Sequence, residues 1–191
     1  MNVNDIERDL IKEVINIALM KAGDSLAFFT GEKVMMQSLN YAVEKIYELK
    51  KRADTKAMIV LVPEEKWILD YVAEPAPKVA DYIKGITKPT TVIYDQAKNV
   101  ASNLIAADGS IAIRICKANF AQQLMQAFGK PIVSTSANIS GLPTPKCFKD
   151  ISLDIIEGVD YVVRSEQEDT SLKAPSAIVK WDKDQIIIIR P

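Results

Sequence analysis

The apolar positions of this chain change period along its length. Between 4 and 23, Ile6, Leu10, Ile11, Val14, Ile15 and Ala18 recur at the spacing of one helical face, with Asn4 or Asp5 as N-cap and Gly23 as the stop. That pattern predicts an amphipathic helix. Leu26–Phe29 then reads as a buried strand ending at Thr30-Gly31, and 33–37 as a second extended piece. Helical spacing returns with Asn40 as cap, Ala42, Val43, Ile46 and Leu49 inward, and Lys45, Glu48 and Lys51 outward. A near-continuous apolar run at 57–62 predicts a strand buried on both faces. A short helix is expected at 63–71, separated by Pro75-Ala76-Pro77 from another ending near Gly85, followed by strands at 89–94 and 111–115. Asn119 is placed as the cap of a helix through Phe128 that stops at Gly129, and Pro131 to Val133 is a further short strand. After Tyr161-Val162-Val163, the polar, acidic stretch 164–173 predicts a mobile surface loop. The chain closes as a hairpin of 176–181 with 185–190.

Strands alternating with helices over 191 residues, with no linker or internal repeat, predict one α/β domain spanning 1–191. Its sheet is expected to be open, twisted and mixed parallel/antiparallel, flanked by helices. Composition then removes several chemistries. The chain has no histidine, and its two cysteines, Cys116 and Cys147, are far apart, so zinc ligation and histidine triads are excluded. Twenty-four basic against 25 acidic residues give a net charge of -1, so any attraction for nucleic acid must be local. The best local candidate is 45–56, with Lys45, Lys50, Lys51, Arg52 and Lys56. No secretory signal is expected, and no apolar run is long enough to span a bilayer, so the expected setting is a reducing cytoplasm.

The candidate chemistry gathers at the end of the 131–133 strand, in Ser134-Thr135-Ser136-Ala137-Asn138-Ile139-Ser140-Gly141. Such residues commonly make an ordinary turn. In an open α/β sheet, however, the carboxyl ends of strands are where ligands sit, and Ser134, Ser136, Asn138 and Ser140 share one side if the loop stays extended. Lys50-Lys51-Arg52, at a helix C-terminus, either complements the helix dipole or receives an anion. Arg114, alone among isoleucines on a strand, lies at an edge or points into a polar cleft, and we place it in the cleft. Arg190, after four isoleucines, either enters the same crevice or is simply solvated.

These stretches, in order, resemble the YrdC-like family of threonylcarbamoyl-AMP synthases. Lys50-Lys51-Arg52 is similar to that family's Lys-x-Arg helix end, Ser136-Ala137-Asn138 to its Ser-x-Asn loop, and Lys88-Pro89-Thr90-Thr91 to its Gly-Pro-Thr-Thr strand. The resemblance implies joining L-threonine, bicarbonate and ATP, with magnesium on the ATP, into threonylcarbamoyl-AMP for tRNA modification. It implies that Lys50 and Arg52 are catalytic, that Ser134, Ser136, Asn138, Arg114 and Arg190 bind nucleotide, and that Thr30, Thr91 and Ser176 bind substrate. The family's Pro-Thr-Glu/Asp-Thr-x-Tyr-Gly-Leu loop is replaced here by Phe29-Thr30-Gly31-Glu32-Lys33-Val34-Met35-Met36, in which Thr30 alone matches clearly. The alternative is therefore a catalytically degenerate relative that binds a nucleotide or double-stranded RNA. Oligomeric state is not legible in the sequence.

Overall fold

The computed structural model describes residues 16–19, 26–29, 36–52, 58–163, 175–182 and 185–191. Within the 1–191 span, the chain forms two compact units, Met1–Lys56 with Ile132–Ala174 and Ala57–Pro131 with Pro175–Pro191. The secondary structure is α/β with mixed strand pairing, as the sequence pattern predicts.

In the first unit, strands β1 (Asn16–Leu19) and β2 (Leu26–Phe29) pair antiparallel, with Ile17 opposite Phe28. This corrects the expected helix at 4–23, whose last part is a strand from 16 to 19; its remaining positions lie outside the described residues. The apolar recurrence at Ile15 and Ala18 suits a helical face, but pairing with Leu26–Phe29 overrides that local signal. Helix α1 (Met36–Leu49) begins four residues before the expected cap. Residues 36 and 37 are therefore helical rather than extended, and Asn40 sits inside the helix. No Gly or Pro interrupts 36–49, so the apolar seam Ala42, Val43, Ile46 and Tyr47, all buried, extends backward without a stop.

The second unit is built on β3 (Ile59–Val62), β4 (Thr90–Tyr94) and β5 (Ile111–Ile115). Between β3 and β4 the helix expected at 63–71 is a 3-10 turn, Glu65–Trp67, running into a single α-turn, α2 (Ile68–Tyr71). Helix α3 (Pro77–Lys84) starts on Pro77, whose missing N–H is an orphan at that position anyway, and ends at Gly85. Helix α4 (Asn119–Phe128) follows β5. Its cap is Ala118, with Asn119 already helical, and it ends at Gly129, whose left-handed φ of 70° lets its N–H reach the Met125 carbonyl at 2.8 Å.

The chain then returns to the first unit through β6 (Ile132–Thr135), α5 (Leu153–Glu157) and β7 (Tyr161–Val162). There β1 pairs β7 in parallel, and β2 pairs β6 antiparallel with Ala27 opposite Ser134. Strand β6 runs through Ser134 and Thr135, two residues further than the apolar run predicts, because Leu26 and Ala27 supply backbone partners there. The second unit closes with β8 (Ala177–Asp182) and β9 (Gln185–Arg190), antiparallel as the hairpin pattern predicts. Stretch 164–173 lies outside the described residues.

Register sorts the second unit's sheet into two faces, since neighbouring residues on a strand point to opposite sides. One cross-strand row runs Val60, Ile113, Val92 and Val179, all buried. The adjacent row, on the other face, runs Leu61, Arg114, Thr91 and Ile178, with Arg190 opposite Ile178 on β9. The apolar row is core, and the second carries the polar groups. Arg114 sits on β5, between β3 and β4, so it is interior to the sheet rather than at its edge.

Candidate functional site

The sequence-predicted residues divide between the two units. Lys50, Arg52, Ser134, Ser136 and Asn138 belong to the first, and Thr91, Arg114, Ser176 and Arg190 to the second. Thr30 lies outside the described residues.

In the first unit, α1 ends at Leu49 and the next residue, Lys50, is 1% exposed. A lysine is almost never so buried without partners. Its Nζ donates to the backbone carbonyl of Ser136 and, at 2.6 Å, to that of Asn138, while the Lys50 carbonyl accepts the Ser140 N–H at 2.8 Å. Three bonds thus fasten the loop after β6 to the end of α1. Burial, and secondarily the neighbouring Arg52 charge, lower the Lys50 pKa from 10.5 to about 8. Lys51 turns the chain in the left-handed region at φ 48°. Arg52 then places Nη1 3.5 Å from the Thr135 hydroxyl and makes further contact, and its pKa is lowered by burial.

The loop does not stay extended. Strand geometry ends at Thr135, Asn138 Nδ2 donates to the Leu142 carbonyl at 2.6 Å, and Gly141 takes φ 88°. Ser134 is fully buried inside β6, and the alternation expected along 134–140 ends with the strand at Thr135. Among the described residues, the buried Asn138 Oδ1 has no hydrogen-bond partner. A buried amide oxygen without a partner carries a desolvation cost that the Nδ2 bond to Leu142 does not relieve. Thr135 is the residue that sequence reasoning passed over. It lies off the Ser134/Ser136 alternation, and only the position of Arg52 shows its part.

In the second unit, Thr91 and Ser176 are buried and their hydroxyls lie 3.0 Å apart. Arg190 donates from Nε (3.0 Å) and Nη2 (2.7 Å) to the Ser176 carbonyl, with Nη2 3.4 Å from the Ser176 hydroxyl. The guanidinium fork is therefore held in one orientation from beneath. Arg114 stands opposite Thr91 in the same row. The unit thus presents two arginines and a buried hydroxyl pair on its polar face, an arrangement suited to an anionic, oxygen-rich ligand.

Residues 36–191 match the family model of Sua5, YciO and YrdC proteins, described as telomere recombination. The chain belongs to the Sua5/YciO/YrdC family. A putative threonylcarbamoyl-AMP synthase of Methanocaldococcus jannaschii is 29% identical over 183 residues, covering 95% of this chain and 83% of that protein. The threonylcarbamoyl-AMP synthase of Pseudoalteromonas translucida is 32% identical over 125 residues, covering 64% of this chain and 67% of that protein. Escherichia coli YciO superposes with a TM-score of 0.76 at 17% identity, covering all of this chain and 90% of YciO. P. abyssi Sua5 complexed with L-threonine gives 0.74 at 18% identity, covering 97% of this chain. The chain spans 53% of Sua5, so it matches about half of that longer protein. These structural likenesses confirm the YrdC-like fold. Among the described residues no helix is long and apolar enough to cross a membrane.

Proposed function

We propose that this family member is an L-threonylcarbamoyladenylate synthase, joining L-threonine, bicarbonate and ATP into threonylcarbamoyl-AMP and pyrophosphate for tRNA threonylcarbamoyladenosine modification. The observation that carries the reading is the fastening of Lys50 to the Ser136–Asn138 loop, with Arg52 beside Thr135 at the end of β6. That brings together the two halves of the Lys-x-Arg and Ser-x-Asn signature from 86 residues apart. Relatives named threonylcarbamoyl-AMP synthase and the threonine complex of Sua5 support the choice of substrate.

The chemistry has two steps. Threonine's amine adds to bicarbonate with loss of water, giving an N-carboxylate. One oxygen of that carboxylate then attacks the α-phosphorus, and the bond to the bridging pyrophosphate oxygen breaks. The reaction brings anions together, so fixed cations are the main contribution the protein makes. Arg52, with Nη1 3.5 Å from the Thr135 hydroxyl, presents a planar fork to phosphate or carboxylate oxygens. Lys50 sits beneath the loop as a buried positive charge that positions Ser136 and Asn138. Ser136 and Asn138 bond the nucleotide through the polar groups of their loop. Ser134 supports them from inside β6.

In the second unit we assign Arg114 and Arg190 to nucleotide phosphates. Thr91 and Ser176 serve the substrate by fixing Arg190. Magnesium is expected with the ATP. Among the described residues no group of three or more carboxylates or thiols offers it a cage, so we place the ion on the triphosphate and route no step through it.

Titration calorimetry with ATP, with and without L-threonine and bicarbonate, coupled to a pyrophosphate assay, tests the reading. Threonine-dependent pyrophosphate release is expected. ATP binding that threonine and bicarbonate leave unchanged, with no pyrophosphate, refutes the synthase and leaves the nucleotide- or double-stranded-RNA-binding relative. Binding of neither leaves only the fold.

A further inference from the structure

The second unit contains a cavity of about 550 Å³ between the Glu65–Trp67 turn, α2 and α3, within the range of small-molecule sites. Its inner wall includes Ile68, Val79 and Tyr94, each 4% exposed or less. Leu69, 58% exposed, and Ile83 also line it. Tyr94 is three residues from Thr91 on β4, an odd step, so the cavity lies on the face of the strand opposite the Arg114, Thr91 and Arg190 row.

The charge at this cavity is unbalanced. Glu64 is paired, 2.9 Å from Lys66 Nζ and accepting from Gln126 Nε2 at 3.2 Å. Lys66 is thereby taken. Glu65 also lines the cavity, half-buried, and among the described residues no hydrogen bond or ion pair reaches its carboxylate. Its negative field falls on Tyr94, whose phenol is pushed up first by burial and then by Glu65. Apolar walls beside an uncompensated carboxylate disfavour phosphate and suit a cation on an apolar body.

We propose that this cavity is a second ligand site that binds an apolar amine in its ammonium form, the hydrocarbon body against Ile68, Val79 and Tyr94 and the ammonium on Glu65. The site is independent of the synthase reading, because it uses the other face of β4 and shares no residue with it.

Tryptamine is the probe and tryptophol, of the same shape with a neutral hydroxyl, its control, each titrated calorimetrically at pH 7 into the full chain. Tryptamine is expected to saturate and to bind about tenfold tighter than tryptophol, the preference expected for one charge-assisted contact. Glu65→Gln is expected to make the two equal, and Ala80→Trp, which fills the cavity, to abolish both. If Ala80→Trp fails to fold, the Glu65→Gln comparison decides alone. The proposal is overturned by absence of saturable tryptamine binding, by equal binding of the two probes to the unaltered protein, or by a preference that survives Glu65→Gln. ATP titrated into Glu65→Gln reports separately on the nucleotide site and is expected to be unchanged.

Discussion

Lys50→Met isolates the buried ammonium beneath the Ser136–Asn138 loop. The substitution keeps the length and apolar stem of the side chain and removes the donor to two backbone carbonyls. Leaving buried carbonyls unpaired costs about 1–3 kcal/mol each. Against this stands the penalty of holding the ammonium charged inside the fold. A shift from 10.5 to about 8 corresponds to about 3 kcal/mol over the whole window, of which the part below pH 10 amounts to about 2. At neutral pH the two effects oppose, so the mutant is destabilised only modestly. The sign with pH follows from linkage. Between about 8 and 10.5 the folded protein binds fewer protons than the unfolded chain, so unfolding free energy rises with pH across that window. Below about 8 the penalty is felt in full. Neutral Lys50 retains two N–H donors, so its contacts survive deprotonation. Urea unfolding of both proteins from pH 7 to 10 is therefore expected to show the stability gap widening by about 2 kcal/mol in favour of the unaltered chain. Other titrating groups cancel in the difference. A gap that stays flat or narrows, or a Lys50 amine that titrates at its ordinary value by nitrogen NMR, refutes the account.

Arg52→Lys is expected to lower threonine-dependent pyrophosphate release by about tenfold or more while leaving the melting temperature within a few degrees, because the ammonium keeps the charge and loses the fork. A rate equal to the unaltered protein's contradicts the phosphate role. Asn138→Ala removes both the bond to Leu142 and the open Oδ1; ATP affinity measured by calorimetry is expected to fall about tenfold. Thr91→Val preserves shape and strips the buried hydroxyl from Ser176, so urea unfolding is expected to show a loss of about 1–2 kcal/mol. Gly158→Ala places a Cβ against Leu49 and 2.8 Å from the Asp154 carbonyl, and is expected to destabilise the chain by about 1–3 kcal/mol by the same measurement. Leu49 directly precedes Lys50, so reduced ATP affinity is expected alongside.

Much of the scaffold was legible because burial imposes simple periods. The runs at Ile59–Val62, Thr90–Tyr94 and Ile111–Ile115 can satisfy their apolar side chains only in a sheet interior, and Gly129 marks the end of α4 because its backbone enters a region that other residues avoid. The order of several stretches along the chain, the Lys50–Arg52 helix end, the Lys88–Thr91 strand and the Ser136–Asn138 loop among them, pointed to the family. What the sequence left open was decided by pairing at a distance. Residues 16–19 carry a helical recurrence, yet become a strand because Leu26–Phe29 lies beside them. Neither the basic turn nor the hydroxyl loop reveals alone that Lys50 is buried and that its ammonium faces the loop's carbonyls rather than water. Thr135 meets Arg52 only after α1 and β6 are assembled. Arg190 is read from sequence as a solvated end or a crevice residue, and it is oriented by a serine carbonyl fourteen residues earlier. Local composition fixes which segments must hide from water. Which polar groups then share a partner depends on the register and packing of segments far apart in the chain, and no local signal encodes that.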